Sequence, residues 1–416
     1  MELTHKIKQI KYENINLFLI IFLPISLFIG SLITNLTIIL IIIFFLIDCK
    51  KKNNFFFIRE KNFQFLIVIY LYMIFNSLYV GQTSDSIIRS LGFVRFLILA
   101  YAIFFYLNND DKKYQNTIFK YWAYIFLLAS VDLIFEFFFQ KNILGFQSNY
   151  PARLASFTGD ELKIGGYYFG FIMLTISFFY LKKKKVFYLY FLIFFIISIL
   201  IGERANFLKI CFMYIIFIFL ILNKPIFQKF IIALIIPIIS LVVIFNSPKL
   251  ESKYYNQIFN IKNDERIKLD NFKLDKMVKV NKHFSHYFTA INIFKENPIF
   301  GIGMKKFRVE SYKEKYNPIQ KISGGSNHPH QTHFEILSEL GIIGYLLIIS
   351  NIFYVIIFGF KNSYKKNFFI MSSALFMIAT LIPIIPSGSF FTTFTATIYW
   401  VNYSVLIVAL KNRKMS

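Results

Sequence analysis

Residues 226–246 read IFQKFIIALIIPIISLVVIFN, with Lys229 as the one charged position. A helix needs roughly 20 apolar residues to cross about 30 Å of hydrocarbon, and this stretch has that length and character. Outward in both directions the pattern repeats. Apolar runs fall at about 14–30, 32–47, 62–80, 87–107, 118–140, 164–181, 186–201, 205–222, 226–246, 335–358, 367–385 and 390–410. The expected fold is therefore an all-α polytopic membrane protein with about twelve transmembrane helices. Composition agrees: the 416 residues are 56% hydrophobic and 16% charged, with a mean hydropathy of +0.56. Water-soluble domains carry about 25% charged residues, and disordered chains are far less apolar, so both classes are excluded.

The net charge is +24. In a soluble protein that would suggest nucleic acid. Here much of the charge sits in clusters between apolar runs, as membrane topology requires, and no nucleic-acid partner is expected. One set of loop ends carries Lys6, Lys8 and Lys11, then Lys50, Lys51, Lys52, Arg59 and Lys61, then Lys112, Lys113 and Lys120. Lys182 to Lys185, Lys224 and Lys229, Lys361, Lys365 and Lys366, and Lys411, Arg413 and Lys414 continue the series. The short loops on the other side carry only Lys141, Arg153, Lys163 and Arg204. The positive-inside rule then predicts cytoplasmic termini. The first apolar run follows a basic start but lacks a small-x-small cleavage site, so it reads as a retained helix.

The main departure from a minimal bundle is the loop between spans 9 and 10, residues 247–334. It holds sixteen Lys and Arg against eight Asp and Glu. A structureless loop of that size is uncommon, so a partly helical domain over the bundle is expected. The domain division is thus 1–246 for helices 1–9, 247–334 for the outer loop, and 335–416 for helices 10–12 with the tail. The two cysteines, Cys49 and Cys211, have no metal or disulfide spacing.

Five of the six histidines, His283, His286, His328, His330 and His333, lie in or at the end of that loop. Histidine is the usual proton carrier near neutral pH. Gly324-Gly325-Ser326-Asn327-His328-Pro329-His330-Gln331 leads into an apolar run from Phe334. The histidines thus stand at a helix start, where unpaired N–H groups favour an anion such as a diphosphate. His330 and His333, three apart, would share a helix face, as would Glu335 and Glu339. Other readings are interfacial helix caps, or a zinc site, for which HxH at a helix start and absent Cys are poor geometry.

Arg204, in Gly202-Glu203-Arg204-Ala205-Asn206, is held at headgroup level between two spans and suits bidentate phosphate contact. The alternatives are snorkelling or pairing with Glu203. The loop from Arg153 to Glu161 adds a second arginine and carboxylates on the same side, or is simply solvated. Arg89, Arg95, Asp132, Glu136 and Lys209 lie within spans, where charges pair or line a cavity; Arg95 with Asp132 is the expected pair.

Residues 280–345 contain Asn297-Pro298-Ile299-Phe300-Gly301-Ile302-Gly303, then His328-Pro329-His330-Gln331, then Leu337-Ser338-Glu339-Leu340-Gly341-Ile342-Ile343-Gly344. These resemble the NP-x-x-G-x-G, HPHN and LxExGxxG segments of the O-antigen ligase and polymerase superfamily. The resemblance implies an inner-membrane glycosyltransferase with a periplasmic active site. Its donor would be an undecaprenyl-diphosphate-linked glycan and its acceptor the lipid A–core or another lipid-linked glycan. Arg204 matches the arginine proposed to hold the diphosphate. His330, with His328, matches the catalytic box. Gln331 replaces the usual Asn and Glu203 a common Ser. His283 stands where many members carry a second loop arginine; Arg266, Arg308 and Lys282 are other cations available for that role, with Arg153 in the adjoining loop. His286, His333, Glu161, Gln331 and Glu339 are supporting candidates.

With arginines supplying the electrostatics, metal-independent transfer with inversion is expected, with no cofactor. Ligase and polymerase differ only in acceptor; ligase is favoured on span layout. A polysaccharide flippase without catalysis is the reading from another class, and it would normally show internal repeats and a polar path through both leaflets.

Overall fold

The structure is a computed structural model that describes residues 2–108, 113–150, 152–159, 161–256, 282–316, 325–364 and 366–411. All regular elements among them are helical: α1 (Glu2–Ile29), α2 (Ser31–Lys51), α3 (Lys61–Asn76), α4 (Ser84–Gly92), α5 (Val94–Leu107), α6 (Lys113–Phe139), α7 (Ile164–Lys182) and α8 (Lys184–Leu200). They continue with α9 (Arg204–Leu220), α10 (Ile226–Phe245), α11 (Pro248–Glu251), α12 (Lys282–Glu296), α13 (Phe307–Glu310), α14 (Thr332–Ser363), α15 (Phe368–Thr380) and α16 (Thr393–Lys411). Each expected apolar run falls on helix, α4 and α5 together forming one. Among the described residues, eight helices are long and apolar enough to cross a membrane, against the twelve expected. This is a multi-pass membrane protein.

The ends of the shorter helices have local causes. α1 is 28 residues long and ends at Gly30, which turns the chain directly into α2. α15 stops at Thr380, short of the expected 385, because Pro383 follows. Proline disfavours helix in the residue before it and offers no N–H. α8 and α9 have 17 residues each.

The interior is built on α7, whose residues from Tyr167 to Phe179 are all buried. α15 packs on α7, α9 and α16, and α5 on α16. α10 lies at the periphery, with only 11% of its apolar window buried. Buried polar groups pair, as they must away from water. Asn62 donates to Tyr403 Oη (2.9 Å) and Tyr101 Oη (3.1 Å), and Asn351 donates to Asn62 (3.0 Å), tying together α3, α5, α14 and α16.

The expected Arg95–Asp132 pair does not form. Arg95 donates to the Gly92 carbonyl and lies over Phe96. Asp132 instead accepts from the Ile143 N–H (2.8 Å) and the Ser156 hydroxyl (2.6 Å). Glu136 accepts from the backbone of Ala155 (3.0 Å) and Ser156 (2.6 Å). A carboxylate bonded to several N–H or O–H groups is satisfied without a cation. The two acids therefore fold the α6–α7 loop down onto its own helix.

The most informative element is α14. At Gly341 it breaks, with φ 66° and ψ −170°, a region essentially reserved for glycine. A break strands the carbonyls before it and the N–H groups after it. The segment 298–303 supplies the missing partners. Ile302 and Gly303 donate to the carbonyls of Ser338 (3.0 Å) and Glu339 (2.9 Å), while Ile342 donates to that of Pro298 (2.8 Å). A Cβ on Gly341 would run into the Ile299 carbonyl. The two motifs, some forty residues apart in sequence, are thus one interlocked unit, and α12 packs along α14 beside it.

Candidate active site

α7, α9 and α14 all begin at one end of the bundle, and the chemistry collects there. α8 ends in a turn at Gly202, φ 77°, where a Cβ would strike the Ala152 carbonyl. That close approach seats the α6–α7 loop on the turn, with the Leu154 N–H donating to Ile201 (3.2 Å). Arg153 is thereby set beside Glu203, its Nη1 3.9 Å from Oε1. Burial pushes the Glu203 carboxyl above its usual range, against the opposing pull of the Asn206 amide bond and the Arg153 charge. Arg204, the first residue of α9, is close enough to Arg153 and Lys253 for the charges to act on one another. Lys253 is held there by its neighbour Tyr254, which is buried and donates to the Ile199 carbonyl (3.0 Å).

Against these cations stands a group of imidazoles. The His330 ring lies 4.0 Å from His328, 5.3 Å from His283 and 5.5 Å from His286, centroid to centroid. His283 and His286 come from the first turns of α12, and His328 and His330 from the approach to α14. Burial, reinforced by the neighbouring cations and imidazoles, disfavours the charged forms. It lowers His330 to about 3 and His286 to about 4. The His283 pKa is also lowered, by burial first and then by Arg204 and Arg153. The cluster therefore spans the arginine pair and the histidine box.

His330 takes the left-handed φ of 59°, unusual for a side-chain-bearing residue. It is held by the Ser387 N–H on its carbonyl (2.7 Å) and by the Ser326 hydroxyl 3.4 Å from Nε2. Gln331 then caps α14, its side-chain oxygen accepting from the Phe334 N–H (3.1 Å). Beneath the box lies a buried ion pair, Lys305 Nζ to Glu335 Oε1 at 3.2 Å, with both side chains 1% exposed. Glu335 also accepts from the Phe390 N–H (2.7 Å), and Glu339 from the Lys305 N–H (2.7 Å).

Of the residues expected to form a site, Arg153, Arg204, His283, His286, His328 and His330 come together. Four others do not join them. His333 is engaged elsewhere, by the Leu381 carbonyl (2.8 Å) and the Tyr345 hydroxyl (3.1 Å). Arg308 faces Asp85 at 3.6 Å. Glu161 pairs with Lys163 and is largely exposed. Glu339 is locked in the network under the box. Arg266 lies outside the described residues. Lys253, Ser326 and Lys305 were not singled out by the sequence. Among the described residues, no three His, Cys, Asp or Glu side chains converge as metal ligands would.

No curated protein matches the chain. Residues 189–349 match the family model for O-antigen ligase, a segment that contains Arg204, the interlocked motifs and the whole imidazole group. That domain supports glycosyl transfer of ligase or polymerase type in lipopolysaccharide assembly. Over this segment the chain is similar to the O-antigen ligase family.

Proposed function

We propose that the protein transfers a glycan from undecaprenyl diphosphate to an acceptor hydroxyl at the periplasmic face of the inner membrane, the acceptor being the lipid A–core. The observation that carries this reading is the group of imidazoles around His330, one of which, His283, also feels the charges of Arg204 and Arg153. Arg204, with Arg153 and His283, holds the donor diphosphate; guanidinium matches phosphate oxygens in a planar, bidentate way. The acceptor oxygen attacks the anomeric carbon, its bond to the diphosphate oxygen breaks, and the diphosphate leaves with both electrons. Attack opposite the leaving group inverts the centre. His330 takes the acceptor proton, with the His328 ring tilted against it, and the arginines stabilise charge gathering on the diphosphate. Gln331 contributes by fixing the start of α14, and His286 by contact with the His330 ring.

A diphosphate among these groups adds negative charge, favours the imidazolium, and raises the His330 pKa toward the working range. No metal is needed for this chemistry, so EDTA is expected to leave transfer intact.

The test is transfer by the purified chain from lipid-linked glycan to lipid A–core, and separately to a second lipid-linked glycan. Arg204→Ala is expected to lower the rate by about 10²–10³-fold, the cost of one stabilising donor. His330→Ala should lower it by about 10²–10⁴-fold, the range for a general base. Transfer only to the second lipid-linked glycan makes the protein a polymerase. Full-rate transfer by both variants removes the roles given to Arg204 and His330, and no transfer by the parental chain to either acceptor removes the enzyme reading and leaves a transporter.

A further inference from the structure

A cavity of about 630 Å³ opens beside the arginine pair, between the α6–α7 loop and the segment that follows α10. Gln147, Ser148 and Tyr150 line it from the loop, Lys249 and Lys253 from the other segment, and Arg153 from the side of the cluster. Arg153 and Lys253 are therefore shared: they line this cavity and also act electrostatically on Arg204. The loop side is fixed. Ser148 accepts from the Tyr150 N–H (3.2 Å), and Arg153 donates its N–H to the Tyr150 carbonyl (3.2 Å). Lys249 bridges to Gln140 at 2.7 Å across one edge.

We propose that this cavity is the subsite for the glycan of the lipid-linked donor, an inference that rests on the transfer reading above. Three observations select this ligand. The volume lies within the roughly 300–1,000 Å³ of small-molecule sites, enough for a few linked sugars and too broad for a single ion. The wall mixes amide, hydroxyl and ammonium groups with an aromatic ring, and so offers both donors and acceptors to a polyhydroxyl ligand and an apolar face to a sugar ring. The cavity also begins where the diphosphate cluster ends. The first sugar of the donor is bonded to that diphosphate, so a chain leaving Arg204 enters the space beyond Arg153. The acceptor glycan has no such tether and need not pass this way.

The experiment uses the full chain in detergent with the oligosaccharide repeat released by mild acid from the cell's own surface glycan and fluorescently tagged. Undecaprenyl diphosphate without sugar and the core oligosaccharide are run in parallel. Tyr150→Ala and Gln147→Ala, each checked for a monodisperse folded peak, are expected to weaken repeat binding at least tenfold and leave undecaprenyl diphosphate binding unchanged. Three results overturn the proposal: no repeat binding by the parental chain at millimolar concentration, unchanged repeat binding in both variants, or loss confined to the core oligosaccharide. Because none of these readings requires turnover, the subsite can fail while Arg204→Ala and His330→Ala still slow transfer, and the reverse.

Discussion

At the residue scale, the imidazole group makes a pH prediction with a fixed sign. In the unfolded chain a histidine titrates near 6.5, whereas His330 and His286 are lowered to about 3 and about 4 in the fold. Below pH 6.5 the unfolded state therefore binds protons that the folded state does not, and stability drops as pH falls. The contribution is complete above about pH 6.5 and is lost as pH falls toward 3–4. Melting of the detergent-solubilised protein from pH 7 to pH 4 should show this slope, and His286→Gln with His330→Gln should flatten it; equal slopes contradict the assignment. The HPHQ box was legible because its members are adjacent and lead into an apolar run. The pairing of His333 with His330 was not, for a definite reason. The three-apart rule holds only when both residues are helical. Gln331 is the cap, α14 begins at Thr332, and His330 sits outside it in a left-handed conformation, so the two rings diverge. Lys253 was hidden in another way: it is one of sixteen basic residues in its loop, and only the Tyr254 anchor distinguishes it.

At the element scale, the interlock between residues 298–303 and the break in α14 decides where the box points. The break redirects the first turns of α14, and the hydrogen bonds from Ile302 and Gly303 keep it open. Gly341→Ala combines a backbone region closed to alanine with a collision against the Ile299 carbonyl. Strain and overpacking of this kind cost about 2–5 kcal/mol together. A marked fall in melting temperature and in folded yield is the expected outcome; a variant that melts like the parent contradicts the role given to the break. Sequence spacing identified both motifs as segments of a family pattern but gave no sign that they bond to each other, because loop-to-helix backbone pairing leaves no periodicity. The same holds for Asp132 and Glu136. Their one-face spacing was visible, yet their partners are backbone and hydroxyl groups of residues 143–156, which no charge pattern displays.

At the scale of the whole molecule, the helical frame is simple and was readable from apolar runs alone. What those runs did not reveal is where the helices stop: α8 and α9 meet at the Gly202 turn, and α15 ends ahead of Pro383. The frame brings four distant parts of the chain, around residues 153, 204, 283 and 330, to one end of the bundle, and the account rests on what that meeting place binds. The direct measurement is the affinity of undecaprenyl diphosphate for the purified full chain in nanodiscs. The expected result is saturable binding that weakens at least tenfold in Arg204→Gln and weakens further as salt is raised. Equal affinity in the parent and in Arg204→Gln would contradict the account at its centre.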